Sequence, residues 1–211
     1  MDRVIFHCDL NSFYASVELL EHPELRHLPV AVCGDPESRH GIILAKNMLA
    51  KSMGVQTAEP IWQAKRKCPN LQLVPPHRER YLQYSRMAQE IYYRFTDQVE
   101  AFSLDECWLD VYGSERLFGD GEQIAQQIRR AVKEELEDIS LRILDPVAYK
   151  EIEDALALRE NERNAFLAEI QQRIKERLAE FNMTPFVSGR IKSITGIYRK
   201  MYMQGRSFAE I

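Results

Sequence analysis

The four cysteines of this 211-residue chain, Cys8, Cys33, Cys68 and Cys107, include no Cys-x-x-Cys pair. That absence argues against the common zinc and dithiol signatures, and their place in or beside apolar runs reads as buried thiols in a reducing compartment. No apolar stretch approaches the roughly 18 residues that a membrane helix needs. The first residues, MDR, lead straight into a strand-like run without signal-peptide architecture. A soluble, cytoplasmic protein with no membrane partner is expected. A strong charge balance is lacking too: the formal net charge of -4 excludes a uniformly basic nucleic-acid coat and leaves local basic patches open. There is no internal repeat and no low-complexity segment.

What the chain does have is 45% hydrophobic residues, ample for the core of one large domain or two small ones. Residues 4–8 read as a buried strand, followed by a helix from residue 13 that Asn11 or Ser12 can cap. Strands are expected at 29–33, 41–45 and 71–74. Short helices are expected at 47–53, closed by Gly54, and at 61–67, stopped by Cys68 and Pro69. Residues 78–95 form a long amphipathic helix. A hairpin follows around 101–111, then a helix at about 122–136. Beyond it, residues 138–146 alternate briefly. From 149 to 181 acids and bases intersperse around a narrow apolar stripe of Leu167, Ile170, Ile174, Leu178 and Phe181, which predicts one helix, or two in tandem, packing by a single face. Residues 187–207 hold five bases and no acid.

The hairpin carries the chemistry. AFSLDECWLDV at 101–111 is two short apolar runs with Asp105 and Glu106 at the bend between them. Asp9 ends the run VIFHC at 4–8. Neighbouring strands would bring three carboxylates to one sheet end, hard oxygen ligands of the kind magnesium takes. Two such ions about 4 Å apart can hold the attacking and leaving oxygens of an in-line displacement. Each acid alone reads more readily as a turn or cap residue; the three together favour the metal site.

HCDLNSFYASVE at 7–18 and SLDECWLDV at 103–111 resemble the two signature motifs of Y-family, DinB-type translesion DNA polymerases. RHGIILAKN at 39–47, AKSMGV at 50–55 and IWQAK at 61–65 resemble that family's fingers segment, and the similarity is continuous from residue 1 to about 136. The resemblance implies an α+β fold: a ferredoxin-like polymerase palm, incomplete here, with a small fingers insertion at about 35–77. It implies that Asp9, Asp105 and Glu106, with the Leu10 carbonyl, hold two Mg2+ ions, Asp105 and Glu106 being the catalytic pair. Tyr14 matches the aromatic that excludes a ribose 2′-hydroxyl, and Lys51 and Tyr81 match positions that contact the incoming triphosphate. The chain departs from the family at Lys51, usually arginine, and at Met48, usually aromatic; lysine keeps the charge and loses the bidentate fork. The implied partners are a dNTP and primer-template DNA.

Past residue 136 the family's next strand, thumb and little finger are not recognisable. LRILDPVAYKE at 141–151 and VSGRIKSITGIYRKM at 187–201 instead resemble the hydrolase–synthetase link and the synthetase opening of bifunctional Rel/SpoT enzymes that make and degrade (p)ppGpp. By that resemblance Arg190, Lys192 and Lys200 match phosphate-binding bases, residues 137–211 form a helical unit, and residues 139–143 are helical despite their alternation. Three functions follow as alternatives: a translesion-type DNA polymerase fragment, a catalytically silent chimera with a helical interaction tail, and a (p)ppGpp synthetase relative.

Overall fold

Two adjacent residues in register, one on each of two antiparallel strands, organise the first part of the fold. In the computed structural model, which describes residues 3–35, 41–181, 183 and 193–211, strand β1 (Ile5–Asp9) pairs antiparallel with β6 (Glu106–Asp110), setting Asp9 opposite Glu106. Strand β5 (Gln98–Ala101) pairs on the other side of β6, giving the order β1–β6–β5. Cys107 and Leu109 of β6 point inward, where they pack with Val111 and with Ile124 and Ile128 of helix α6 (Gly121–Leu144). That is the period-two pattern of a sheet with one covered face.

Helix α1 (Phe13–Glu21) leads from this sheet to a second one, built from β2 (Val30–Cys33), β3 (Ile43–Lys46) and β4 (Gln72–Val74). β2 lies in the middle, antiparallel to β3 and parallel to β4. All four of its residues are buried because both faces are covered. Val30 and Val32 pack with Ala15 of α1, while Ala31 and Cys33 pack with Ile43, Ala50, Ile61, Ala64 and Cys68. The last set comes from β3 and from two short helices, α2 (Met48–Ser52) and α3 (Ile61–Lys67). Asn47 anchors α2: its Oδ1 accepts from Ala50 N at 2.9 Å and from Val30 N at 3.1 Å, and its Nδ2 donates to Leu28 O at 2.8 Å. Gly54, at φ 83, ends the turn. Helix α4 (Arg78–Tyr92) returns to the first sheet, and α5 (Glu115–Phe118) precedes α6.

The helix expected at 122–136 runs on without a break to Leu144. Ile124, Ile128, Val132, Leu136 and Ile139 keep helical spacing, and no glycine or proline intervenes before Asp145-Pro146, so a five-residue alternation cannot compete. Residues 139–143 are therefore helical, as expected.

The chain divides into two compact units, Met1–Lys133 and Glu134–Ile211. In the second, α7 (Pro146–Leu158), capped by Asp145, and α8 (Glu160–Ala179) follow in tandem. A short helix, α9 (Ile194–Tyr198), continues as a π turn over Arg199–Met203. Ile152 and Ala148 of α7 and Ile197 of α9 are buried, and Asp138 Oδ1 accepts from Thr195 N at 2.8 Å. The stripe is only partly covered: on α8, Leu167, Ile170 and Leu178 are half-buried and Ile174 is exposed, and Phe181, just past the helix end, is exposed too. Among the described residues no helix is long and apolar enough to cross a membrane.

Candidate active site

The bend between β5 and β6 is shaped by one hydroxyl. Ser103 Oγ accepts from the backbone N–H of Glu106 at 3.1 Å and of Asp105 at 3.3 Å, and donates to Asp105 Oδ1 at 2.7 Å. The β1–β6 ladder runs one step past the strands, with Leu10 N donating to Asp105 O at 3.0 Å. Asp9 and Glu106 on the one hand, Leu10 and Asp105 on the other, are thus cross-strand neighbours at one sheet end. The chain then turns sharply: Phe13 N donates to Leu10 O at 3.1 Å, and Ser12 takes a left-handed setting, φ 54 and ψ 33. Ser12 occupies the N-cap position of α1 without a side-chain capping bond.

That turn places Tyr14 in the first turn of α1, within the field of Asp105. Burial and then the charge of Asp105 hold its hydroxyl above the usual tyrosine pKa, with Arg78 acting in the opposite direction. Its ring stacks on Tyr81 of α4, centroids 4.4 Å apart and planes 16° apart. Tyr81 is 3% exposed, and its hydroxyl donates to the carboxylate of Glu18, a residue only 1% exposed. The Tyr81 hydroxyl, expected at the triphosphate, is turned inward to Glu18 here. Glu18 also accepts from the backbone N–H of His77 at 3.0 Å and lies 2.8 Å from His77 Nδ1. Neither Glu18 nor His77 was expected at the site; the signal available was Glu18 lying one helical turn after Tyr14 in an otherwise apolar run.

Lys51 is exposed on α2 beside Lys46, whose pKa burial and then Lys51 depress. Lys200 lies in the π turn of the second unit, and Arg190 and Lys192 fall outside the described residues. On the exposed face of the first sheet, His7 stacks on Trp108 with centroids 4.2 Å apart, and its Nε2 lies 3.9 Å from Glu106 Oε2.

The donor chemistry of Asp9, Asp105, Glu106 and the Leu10 carbonyl suits a hard divalent cation. The backbone brings these groups to one place, but their side chains are not gathered. Among the described residues, no three His, Cys, Asp or Glu side chains lie close enough together to hold a metal ion. The bond from Ser103 keeps the Asp105 carboxylate on its own bend.

Residues 8–143 match the impB/mucB/samB family. The chain belongs to that family. Members and relatives include a DNA polymerase IV of Acetivibrio thermocellus, 59% identical over 136 residues, which are 64% of this chain and 34% of that protein. DNA polymerase IV 2 of Bacillus subtilis is 43% identical over 135 residues, 64% of this chain and 33% of that protein. Solved structures of the Y family agree: a chimera of the polymerases Dbh and Dpo4 superposes with a TM-score of 0.56 at 27% identity, covering 63% of this chain and 39% of that one. An insertion ternary complex of Dbh DNA polymerase gives 0.54 at 26%, covering 63% and 38%. The chain thus spans about a third of the length of the curated relatives it matches. The family match reaches residue 143, inside the segment read as Rel/SpoT-like from 137 onward, and these matches lend the Rel/SpoT resemblance no support. Helix α6 runs through the expected boundary at 136 to Leu144, while the compact units divide three residues before it, between Lys133 and Glu134.

Proposed function

We propose that this chain carries the palm and fingers of a translesion-type, DNA-directed DNA polymerase, joining the α-phosphate of a dNTP to a primer 3′-hydroxyl with release of pyrophosphate. The observation that carries the reading is the register that sets Asp9 against Glu106 and Leu10 against Asp105, with Tyr14 within the field of Asp105. Asp9, Asp105, Glu106 and the Leu10 carbonyl would hold Mg2+ ions, two by the reading of the motifs. Bound there, the metal supplies Lewis-acid stabilisation of charge developing on the transferred phosphoryl group. Asp105 joins such a set by turning from Ser103. Tyr14 stands where a sugar would rest against its ring, and Lys51 brings positive charge from α2 toward the phosphates. Primer-template DNA is the second substrate, held largely through its phosphates.

The named activities of the relatives and the ternary complexes of Dbh support this reading. A second reading, a folded but catalytically silent palm, is favoured by one observation, the ungathered carboxylates. Nothing among the described residues favours nucleotide binding by the basic tail. Primer extension at high enzyme concentration separates the two. Mg2+-dependent addition of a nucleotide by the wild type, reduced on the order of 100-fold or more in Asp105→Ala, is the expected outcome; a folded wild type that adds none sinks the first reading.

A further inference from the structure

We infer that Glu18 is a positioning residue for the Tyr14 ring, and through it for the choice between deoxyribose and ribose at the proposed site. This deepens the polymerase reading and rests on it for the substrate. A carboxylate 1% exposed in an apolar helix face is costly unless its oxygens are satisfied. Glu18 is satisfied at three points, all on one neighbouring element: the backbone N–H of His77, the His77 ring nitrogen Nδ1 and the Tyr81 hydroxyl. His77 is the N-cap residue of α4, and Tyr81 lies one turn further along it. Glu18 therefore ties the first turn of α4 to α1, where the helix's exposed N–H groups favour an anion.

The Tyr81 ring is consequently fixed at its hydroxyl by Glu18 and along its face by Tyr14. Phe13 adds a tilted contact to each tyrosine, with centroids 5.6 Å from Tyr14 and 6.2 Å from Tyr81. Tyr14 is half-buried, backed by Tyr81 and within the field of Asp105. Its position relative to the carboxylates is thus set by a stack whose far end Glu18 holds. A ring meant to exclude one hydroxyl group must be held to within a fraction of an ångström. The His77 backbone N–H also reaches the Tyr81 hydroxyl, and the same N–H donates to Glu18, so both holds on that hydroxyl meet at one carboxylate.

The test uses the full chain with tyrosine rings labelled for NMR, Tyr14 and Tyr81 being assigned from Tyr14→Phe and Tyr81→Phe. Glu18→Gln and Tyr81→Phe are compared with wild type; the second keeps the ring and removes only the hydroxyl, so it stays informative if the first fails to fold. In both variants the Tyr14 ring resonances are expected to shift and broaden, and the preference for dCTP over CTP binding in Mg2+ is expected to fall by about fivefold, with dCTP affinity falling less. A purely structural Glu18 would lower the melting temperature and leave that preference unchanged. Unchanged Tyr14 resonances in folded Tyr81→Phe overturn the inference. So does an unchanged preference in variants that still bind dCTP. If wild type binds neither nucleotide, the polymerase reading and the sugar-selecting part of the inference fail together, while the resonances still decide whether Glu18 positions Tyr14.

Discussion

Ser12 links the carboxylates to Tyr14 at a cost in backbone energy. Its φ of 54 lies in the left-handed region, which is unfavourable by roughly 1 kcal/mol for a residue with a side chain, and its hydroxyl recovers none of this by capping α1. The setting is required because the chain must reverse between Leu10 and Phe13 while Leu10 N stays bonded to Asp105 O. Glycine adopts such angles freely but loses more conformational freedom on folding, whereas a β-branched side chain is a true outlier there. Ser12→Gly should accordingly leave stability within about 0.5 kcal/mol of wild type, and Ser12→Val should lower it by about 1–2 kcal/mol. Urea unfolding of the three proteins checks the order; equal stabilities for Ser12 and Ser12→Val would show that the turn relaxes without strain.

At the scale of elements, the second sheet is closed by an ion pair that should make it acid-sensitive. The Glu59 carboxylate, 8% exposed, accepts from Lys67 Nζ at 2.5 Å and from Gln56 N at 2.7 Å, and Lys67 also donates to Gly54 O at 3.0 Å. Burial alone would raise its pKa, but the bonds from Lys67 and Gln56 together outweigh it and hold the group below the usual carboxylate value of 4.5. A depressed folded pKa means that this stabilisation is complete above the unfolded value and is lost as pH falls through the folded one. Glu59→Gln should therefore melt lower than wild type at pH 7, with the difference shrinking as pH drops below about 4.5; thermal melts from pH 7 to pH 3 read this, and a constant difference would refute it. The neighbouring elements were largely legible in the sequence because their signals are local: Asn47 before α2, Gly54 after it, Cys68 and Pro69 after α3. β5 was read too late in the chain because Gln98 and Glu100 dilute its apolar pattern. At the site, the acids could be read because each ends a strand-like run. The Glu18 anchor could not, because its partner His77 lies 59 residues away and only folding joins them.

For the whole molecule, the question is which part of the chain folds by its own packing. Among the described residues, the four buried clusters lie within Met1–Lys133, three joining strands to helices and the fourth joining α1 to α4. They include Ile124, Ile128 and Val132 from the first half of α6. That helix nevertheless continues to Leu144, and the family match ends at 143. Cutting the chain at residue 133 would remove the last eleven residues of the helix, about three turns, and expose its end next to the residues that cover the sheet. Cutting after Leu144 keeps the helix whole, and Asp145-Pro146 already marks the natural stop. A protein of residues 1–144 should therefore fold cooperatively, with its own melting transition and Tyr14 ring resonances matching those of the full chain. A protein of residues 1–133 should melt lower, by several degrees or more, since losing 1 kcal/mol in a domain of this size moves the midpoint by about 2–8 °C. The pair of melts settles whether α6 serves the palm along its whole length; equal midpoints would show that the helix beyond Lys133 contributes nothing to the first unit.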